Sequence, residues 1–291
     1  MKITVPAPAK INLYLDVTSK MENGFHEIKS IMQTVSLSDT VIIQTSESGT
    51  QQINVYCSDP EIPSGEGNIA YKAAKLFFEY FNVSDISADI YIEKVIPHAA
   101  GLAGGSTDAA AVIYGLNAAL GNIGSDAKLL EIAAKVGSDV PFCLTKKTAL
   151  ALSRGEKITS LPDMPDCYIL VCSAGEQVSS ASAYAKLDEI YGDFTSVDKN
   201  GADIDQLISS INNGDILGVC KNTFNIFESA VLLGCPKAKR IRERLTELGA
   251  EAAMMSGSGS SVFGIFTDAK KATNARNELN SFCKAFICRP Q

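Results

Sequence analysis

The stretch PHAAGLAGGSTDAAAVIYGLN, residues 97–117, decides how this chain folds and where its chemistry lies. It directly follows ADIYIEKVI (88–96), in which apolar and polar residues alternate as they do in a half-buried β-strand. Its second half is rich in alanine, which favours a helix, and Ser106 is a residue type that begins helices. The pattern therefore predicts a strand, a glycine-rich turn, and a helix over 106–120.

The glycine-rich turn predicts an anion site. Gly101, Gly104 and Gly105 can adopt positive φ and let backbone N–H groups converge, a geometry that binds phosphates. Ser106 and Thr107 add hydroxyls at the helix start, where the helix dipole favours negative charge. No lysine follows as in a P-loop, and the spacing is not that of a dinucleotide loop. On this stretch alone, a tight strand-to-helix turn with a serine N-cap is the open alternative.

Length and charge restrict the class of protein. The 291 residues suffice for one large domain or two smaller ones. The net charge of −7, without a Lys/Arg block, argues against nucleic-acid and anionic-membrane partners. No apolar run reaches the ~18 residues of a membrane span, and no signal peptide is recognisable. With eight cysteines and no C-x-x-C pair, we expect a cytoplasmic protein with reduced thiols.

Strand and helix patterns alternate along the whole chain, which predicts a mixed α/β (α+β) fold. The pattern restarts after residue 160, so we expect two domains, 1–160 and 161–291. The polar stretch 194–214 predicts an exposed connection. Strands are predicted at 11–17, 26–39, 41–45, 53–57, 88–96 and 166–173, and in three short runs after residue 250. Further helices are predicted at 68–81, 125–137, 179–191, 222–233, 236–248 and 268–281.

Four segments in chain order resemble the motifs of one kinase superfamily. They are PAKINLYLDV (8–17), PHAAGLAGGST (97–107), SDVPFCL (138–144) and MSGSGSSVFGIF (255–266). The sequence resembles the GHMP superfamily of galactokinase, homoserine kinase, mevalonate kinase and phosphomevalonate kinase over nearly its whole length. This resemblance implies a two-domain kinase fold with the active site in the interdomain cleft, ATP and Mg²⁺ as cofactors, and an alcohol as phosphoryl acceptor.

The resemblance also implies roles for the residues of the glycine-rich segment. Backbone amides of this segment are expected to bind the ATP phosphates, and Asn68 is expected to contact the nucleotide, although an N-cap explains Asn68 equally well. Asp108 either helps to bind Mg²⁺ or complements the helix dipole, and we favour the dipole. The metal ligands are otherwise not predicted. The residues expected at ATP are Pro97, His98, Ala99, Ala100, Gly101, Leu102, Ala103, Gly104, Gly105, Ser106, Thr107 and Asn68.

Lys10 and Asp139 are implied as the catalytic pair. Asp139, in GSDVPF, is expected to accept the proton of the acceptor hydroxyl, while Lys10 keeps Asp139 ionised and orients the alcohol. Taken singly, Asp139 also fits a turn before Val140, and Lys10 fits a solvated lysine at a strand end. The presence of both residues, in order with the other motifs, favours the catalytic interpretation.

Two further segments, NGFHEIKSIMQTVSLSD (23–39) and QVSSASAY (177–184), resemble the superfamily branch that phosphorylates a cytidyl diphosphate sugar-alcohol. This implies that Phe25 and Tyr184 stack on the two faces of the base and that His26 bonds its edge. Asn12 is expected at the diol end, its alternative being a solvent-facing strand residue. The branch usually has tyrosine at Phe25, and core aromatics are the alternative. Mevalonate or homoserine as acceptor, and a non-catalytic relative, are competing interpretations; a monomer or homodimer is expected.

Overall fold

The computed structural model describes all residues 1–291 and contains eleven strands, ten α-helices and one short 3₁₀-helix at Gly65–Gly67. The strands are β1 (Lys2–Lys20), β2 (His26–Glu47), β3 (Ile53–Cys57), β4 (Ile86–Glu93), β5 (Thr148–Ser153), β6 (Lys157–Ser160), β7 (Tyr168–Ser173), β8 (Phe224–Asn225), β9 (Ala252–Met255), β10 (Val262–Phe266) and β11 (Lys284–Cys288). The helices are α1 (Ile69–Phe81), α2 (Gly104–Ala119), α3 (Asp126–Val136), α4 (Val140–Thr145), α5 (Ser180–Tyr191), α6 (Ile204–Asn212), α7 (Ile216–Lys221), α8 (Phe227–Val231), α9 (Pro236–Glu247) and α10 (Ala269–Leu279). None of the helices is both long and apolar enough to span a bilayer.

The chain forms two compact units that are interleaved in sequence. The first unit contains residues 1–9, 38–98 and 103–145, and the second contains 10–37, 99–102 and 146–291. Strands β1 and β2 each contribute to both units, because each passes a unit boundary without interruption. The sequence suggested a single boundary near residue 160, and that division stays a prediction.

In the first unit, helices cover a sheet formed by β3, β4 and the second half of β2. Strand β4 pairs antiparallel with β2 and parallel with β3. Ala88, Ile90 and Ile92 alternate along β4 as its buried residues, which is the period-two pattern of a one-sided strand. Helix α2 approaches β2 at Gly115, where a Cβ would lie 2.3 Å from Cδ1 of Ile43. Glycine therefore allows the close approach of the helix that carries the glycine-rich loop.

The second unit contains a four-stranded antiparallel sheet in the order β11-β7-β10-β9. Its central strands β7 and β10 are almost entirely buried, which explains their continuous apolar sequences. The first half of β2 pairs with β5, and β5 pairs with β6. Strand β8 runs parallel to β1 and pairs at Tyr14 and Leu15. This pairing holds the β1 segment that carries Lys10 within the second unit.

Several predicted boundaries are wrong. The strands predicted at 26–39 and 41–45 are one strand, β2. Strand β4 ends at Glu93, three residues early, because the N–H groups of Val95 and Ile96 donate to the Asp39 carboxylate instead of to a neighbouring strand. The predicted connection 194–214 contains helix α6, which Asp203 caps. The helix predicted over 222–233 is a short strand, β8, followed by α8.

Candidate active site

The glycine-rich loop has positive φ at alternate residues: Ala99 (48°), Gly101 (76°) and Ala103 (59°). Of the three glycines that could adopt positive φ, only Gly101 does so, since Gly104 and Gly105 are helical residues at the start of α2. The prediction that Ser106 begins the helix is also wrong, because Ala103 is the N-cap. The left-handed Ala103 turns the chain into the helix, which begins at Gly104, two residues before the hydroxyl of Ser106. Left-handed alanines are strained, and such strain is concentrated at functional sites.

The carbonyl oxygens of this loop are bound within the second unit. Ala100 O accepts from Ser261 N at 3.1 Å, Gly101 O accepts from Ser256 Oγ at 3.0 Å, and Leu102 O accepts from Lys10 N at 3.1 Å. The backbone N–H groups of residues 99–102 donate to no other protein group. Fixed carbonyls and unused N–H groups are what a backbone anion site requires.

Gly101 is expected to be the loop's most sensitive position. A Cβ there would lie 2.1 Å from Ser256 O, and its φ of 76° disfavours any L side chain. Gly101→Ala should lower the free energy of unfolding by about 2 kcal/mol or more. Gly105→Ala is the control: that position is helical, its nearest contact would be 3.3 Å from Ile69, and the effect should stay within about 1 kcal/mol. Urea unfolding measures both, and equal effects would contradict this packing.

The segment 256–261, part of the last motif-like stretch of the sequence, packs against the loop. Gly257 permits this approach, since a Cβ there would lie 2.9 Å from Gly101 O and 3.3 Å from Lys10 Nζ. Asn225 holds the segment by donating to Met255 O at 2.7 Å and to Gly257 O at 2.8 Å. Asn225 was not predicted as a site residue. Its only signal in the sequence is that of a single polar residue between the apolar Phe224 and Ile226.

Lys10 is buried on β1 rather than solvated. Its Nζ donates to Asn12 Oδ1 at 2.6 Å, Asn12 Nδ2 donates to Ser30 Oγ at 2.8 Å, and Ser30 Oγ donates to Tyr14 O at 2.7 Å. Lys10 is 4% exposed and Asn12 1% exposed, so a solvated lysine and a solvent-facing asparagine are both excluded. Buried lysines are rare without a partner or a function, and this one has a fixed orientation.

Three residues implied by the resemblance, Asp139, Asn68 and Thr107, lie in the first unit. Asp139 directly precedes α4, and its carbonyl accepts from Cys143 N at 3.1 Å, which places it at the N-terminus of that helix. Asn68 caps α1: its Oδ1 accepts from Ala70 N, and its Nδ2 donates to Pro63 O. Thr107 Oγ1 donates to Pro8 O at 2.8 Å. The N-cap interpretation of Asn68 is confirmed, while the catalytic and ATP-binding roles of these residues stay predictions.

A buried charge cluster lies beside the start of α2. Lys94 Nζ binds Asp39 and, at 2.7 Å, Asp108 Oδ2, and all three side chains are at most 5% exposed. Burial and the Asp39 charge raise the pKa of Asp108 to about 7, against the opposing effect of Lys94. The interpretation of Asp108 as a complement to the helix dipole is wrong, because it lies beyond the first turn and its charge is met by Lys94. Lys94 was not predicted as part of the site.

Removing the ammonium of this cluster should destabilise the first unit strongly. Lys94→Met leaves two carboxylates buried without their cation, which costs about 3–5 kcal/mol. The loss should shrink as the pH falls below 7, because protonation neutralises Asp108, whose pKa is raised to about 7. Lys147→Met, which breaks an exposed pair with Asp163, is the control and should cost no more than about 1 kcal/mol. Urea unfolding at pH 8 and pH 5.5 measures the loss of stability in both variants. Equal losses in the two variants, or a Lys94→Met loss that is the same at both pH values, would contradict this role of the cluster.

His26 begins β2 and lies at the centre of an aromatic group in the second unit. Its ring stacks on Tyr184 with centroids 4.6 Å apart and planes at 19°, and Phe194 meets it edge-on at 5.8 Å. Its Nε2 lies 2.6 Å from Asp188 Oδ1. Phe25 is 52% exposed and lies under the Arg154 guanidinium at 5.1 Å. The structure therefore brings His26 and Tyr184 together, and the placement of a base between Phe25 and Tyr184 stays a prediction.

No three His, Cys, Asp or Glu side chains are grouped so as to hold a metal ion. Mg²⁺ commonly uses one or two carboxylates, water and substrate phosphates instead of a complete protein cage. The unused N–H groups of residues 99–102 suit those phosphates. The structure thus fits a magnesium ion that enters with a nucleotide.

Comparison with known proteins identifies the family. Residues 68–147 match the family model of the GHMP kinases N terminal domain, and residues 205–285 match that of the GHMP kinases C terminal domain. Proteins named 4-diphosphocytidyl-2-C-methyl-D-erythritol kinase from Listeria innocua and Bacillus cereus are 40% and 39% identical to this chain. The alignments cover 100% and 98% of this chain and 97% and 95% of theirs.

Solved structures show the same relationship. A crystal structure of 4-(cytidine 5'-diphospho)-2C-methyl-D-erythritol kinase superposes with a TM-score of 0.82 at 29% identity, over 99% of both chains. Homoserine kinase from Cytophaga hutchinsonii has a TM-score of 0.76 at 18% identity, covering 100% of this chain and 94% of its own, which shows a shared fold. The mixed α/β GHMP fold expected from the sequence is thus confirmed. This chain belongs to the 4-diphosphocytidyl-2-C-methyl-D-erythritol kinase family of the GHMP kinases.

Proposed function

We propose that this enzyme transfers the γ-phosphoryl group of ATP to the 2-hydroxyl of 4-diphosphocytidyl-2-C-methyl-D-erythritol. The products are the 2-phosphate and ADP, in a cytoplasmic step of non-mevalonate isoprenoid precursor biosynthesis. The observation that carries the proposal is the loop at residues 99–102, whose carbonyls are fixed and whose N–H groups are unused. This loop contacts the same glycine segment that lies beside the buried Lys10 amine.

The loop and the start of α2 would bind the ATP phosphates through backbone N–H groups. The first N–H groups of a helix lack partners within the helix, and their dipoles favour an anion. Gly104 and Gly105 keep this end free of side chains. A magnesium ion on the phosphates supplies charge neutralisation that no P-loop lysine provides here. The protein's own contribution is to hold the phosphates in one orientation.

Lys10 and Asp139 would act on the acceptor hydroxyl. Asn12 Oδ1 accepts a hydrogen bond from the Lys10 ammonium and holds it in place. A cation beside the hydroxyl stabilises the charge that develops on its oxygen, and Asp139 accepts the proton. Phosphoryl transfer passes through a loose transition state, so positioning and charge contribute more than the strength of the base.

The cytidyl group would bind near Phe25, His26 and Tyr184. The exposed Phe25 ring offers a stacking face, and His26 offers a hydrogen bond to the base edge. Tyr184 would meet the base after its ring separates from the imidazole that it now contacts. Asn12 is proposed to meet the diol end of the acceptor. Homoserine and mevalonate carry no base, so this aromatic group favours the cytidyl acceptor over them.

Phosphorus NMR of the product tests the proposal and the position of transfer together. The acceptor is a 2-C-methyl compound, so its C2 bears a hydroxyl and no hydrogen. A phosphate on that oxygen gives a monoester signal without three-bond coupling to a proton, together with ADP. A coupled monoester signal would place the phosphate on another hydroxyl, and hydrolysis of ATP to free phosphate alone would overturn the proposed transfer.

A further inference from the structure

The two ring nitrogens of His26 have different surroundings. Nε2 lies 2.6 Å from Asp188 Oδ1, whereas Nδ1 has no hydrogen bond to another protein group. The second oxygen of Asp188 binds the ammonium of Lys20. The imidazole is buried, with its side chain 7% exposed, so few contacts set its orientation.

The ionised state of the Asp188 carboxylate decides which nitrogen of His26 carries the proton. Burial alone would raise the pKa of Asp188, but hydrogen bonds from Lys20 and His26 outweigh it and lower the pKa. The carboxylate is therefore ionised at neutral pH and only accepts hydrogen bonds. His26 Nε2 must then carry a proton, and in the neutral ring Nδ1 presents a lone pair.

One turn of helix α5 supplies both contacts to the imidazole. Tyr184 and Asp188 are four residues apart on this helix, a spacing that places them on one face. The Tyr184 ring contacts the face of the imidazole, and the Asp188 carboxylate binds its edge. The Asp188 contact alone holds the edge of the ring and the position of its proton, so it persists when Tyr184 turns to the base as proposed.

We propose that Asp188 is a positioning residue that keeps His26 Nδ1 as a hydrogen-bond acceptor and so selects a cytidyl over a uridyl acceptor. The proposal rests on the proposed function, in which His26 meets the base edge. Cytosine carries an amino group at position 4, which donates a hydrogen bond, whereas uracil carries an oxygen there, which accepts. An Nδ1 lone pair attracts the first group and repels the second.

The test compares kcat/KM for the cytidyl acceptor and for its uridyl analogue. In Asp188→Asn, the amide nitrogen can donate to Nε2, which moves the ring proton to Nδ1. We expect its kcat/KM for the cytidyl acceptor to fall about 10- to 100-fold, mainly through KM. The 4-amino group of cytosine then meets an N–H group instead of a lone pair and loses its hydrogen bond. The KM for ATP should not change, and the preference for cytidyl should fall at least about tenfold.

Two further variants and one spectrum separate this role from a structural one. Asp188→Glu keeps the carboxylate and should retain the base preference. Lys20→Met removes only the exposed partner of Asp188 and should change the preference less than about threefold. Two-bond ¹H–¹⁵N correlation spectra of His26 should show the proton on Nε2 in the wild type and on Nδ1 in Asp188→Asn.

Two outcomes overturn the proposal in distinguishable ways. If Asp188→Asn slows both acceptors equally and retains the cytidyl preference, the residue is only structural and the inference fails while the proposed function stands. If the wild type phosphorylates neither acceptor, the proposed function fails and the base selection fails with it.

Discussion

Asp139→Asn is expected to lower kcat by about 10²- to 10⁴-fold, the usual loss when a positioned acid or base is removed. Asparagine has the size of aspartate but cannot take a proton from the acceptor hydroxyl. It also removes the negative charge that faces the leaving proton. The ATP phosphates are assigned to backbone N–H groups of residues 99–102, which this change does not touch. The affinity for ATP should therefore stay within about threefold of the wild type.

Steady-state kinetics and nucleotide binding measured by calorimetry on the same preparation check this prediction. Asp126→Asn is the matched control, since Asp126 is an exposed acid in the first turn of α3 in the same unit. Its kcat should equal that of the wild type. An Asp139→Asn variant with undiminished kcat and normal ATP affinity would refute the assignment of Asp139 as proton acceptor.

Tyr184→Ala is expected to raise KM for the cytidyl acceptor about 10- to 100-fold, because a stacked base contributes about 1–3 kcal/mol. The KM for ATP should change less than about twofold. The variant also removes the ring that contacts His26 with centroids 4.6 Å apart, so the imidazole loses its support. Both losses act on the acceptor and not on the nucleotide.

Tyr184→Phe separates the ring from the hydroxyl and should keep a KM close to the wild-type value. Unfolding in urea serves as a second control, because Tyr184 also meets Phe227 edge-on at 4.9 Å within the second unit. If Tyr184→Ala raises both KM values equally, the ring acts through packing of this unit, and base stacking has to be abandoned.

The sequence predicted the fold class and most elements because the hydrophobic periods are clear. Helix α1 begins after Asn68 as predicted, and β3 covers Ile53–Cys57 as predicted. Short elements were missed or shifted where packing outweighs local preference. Helix α6 lies in a stretch that is polar overall, but its buried Leu207 and Ile211 are four residues apart, a helical spacing that the composition concealed.

The sequence predicted an anion-binding turn between a strand and a helix, but not which residues of the turn have positive φ. Alanine normally avoids positive φ, so the left-handed Ala99 and Ala103 could not be read from residue preferences. The surrounding hydrogen bonds fix that conformation. The burial of Lys10 could not be predicted from the sequence either, because a lysine at a strand end is usually solvated.

Contacts between distant residues account for the rest of what was missed. Lys94 is 55 residues from Asp39 in sequence, and His26 is 162 residues from Asp188. No local pattern links residues so far apart. Asp188 in particular looks like an ordinary polar residue of an amphipathic helix until the fold brings it to the imidazole.

The most direct test of the account is ADP release by the purified protein with Mg-ATP and four acceptors, measured one at a time. The acceptors are 4-diphosphocytidyl-2-C-methyl-D-erythritol, mevalonate, phosphomevalonate and homoserine. We predict rapid turnover with the cytidyl compound and only background release with the other three. Turnover with another acceptor at a comparable or higher rate would contradict the proposed function and the roles assigned to Phe25, His26 and Tyr184.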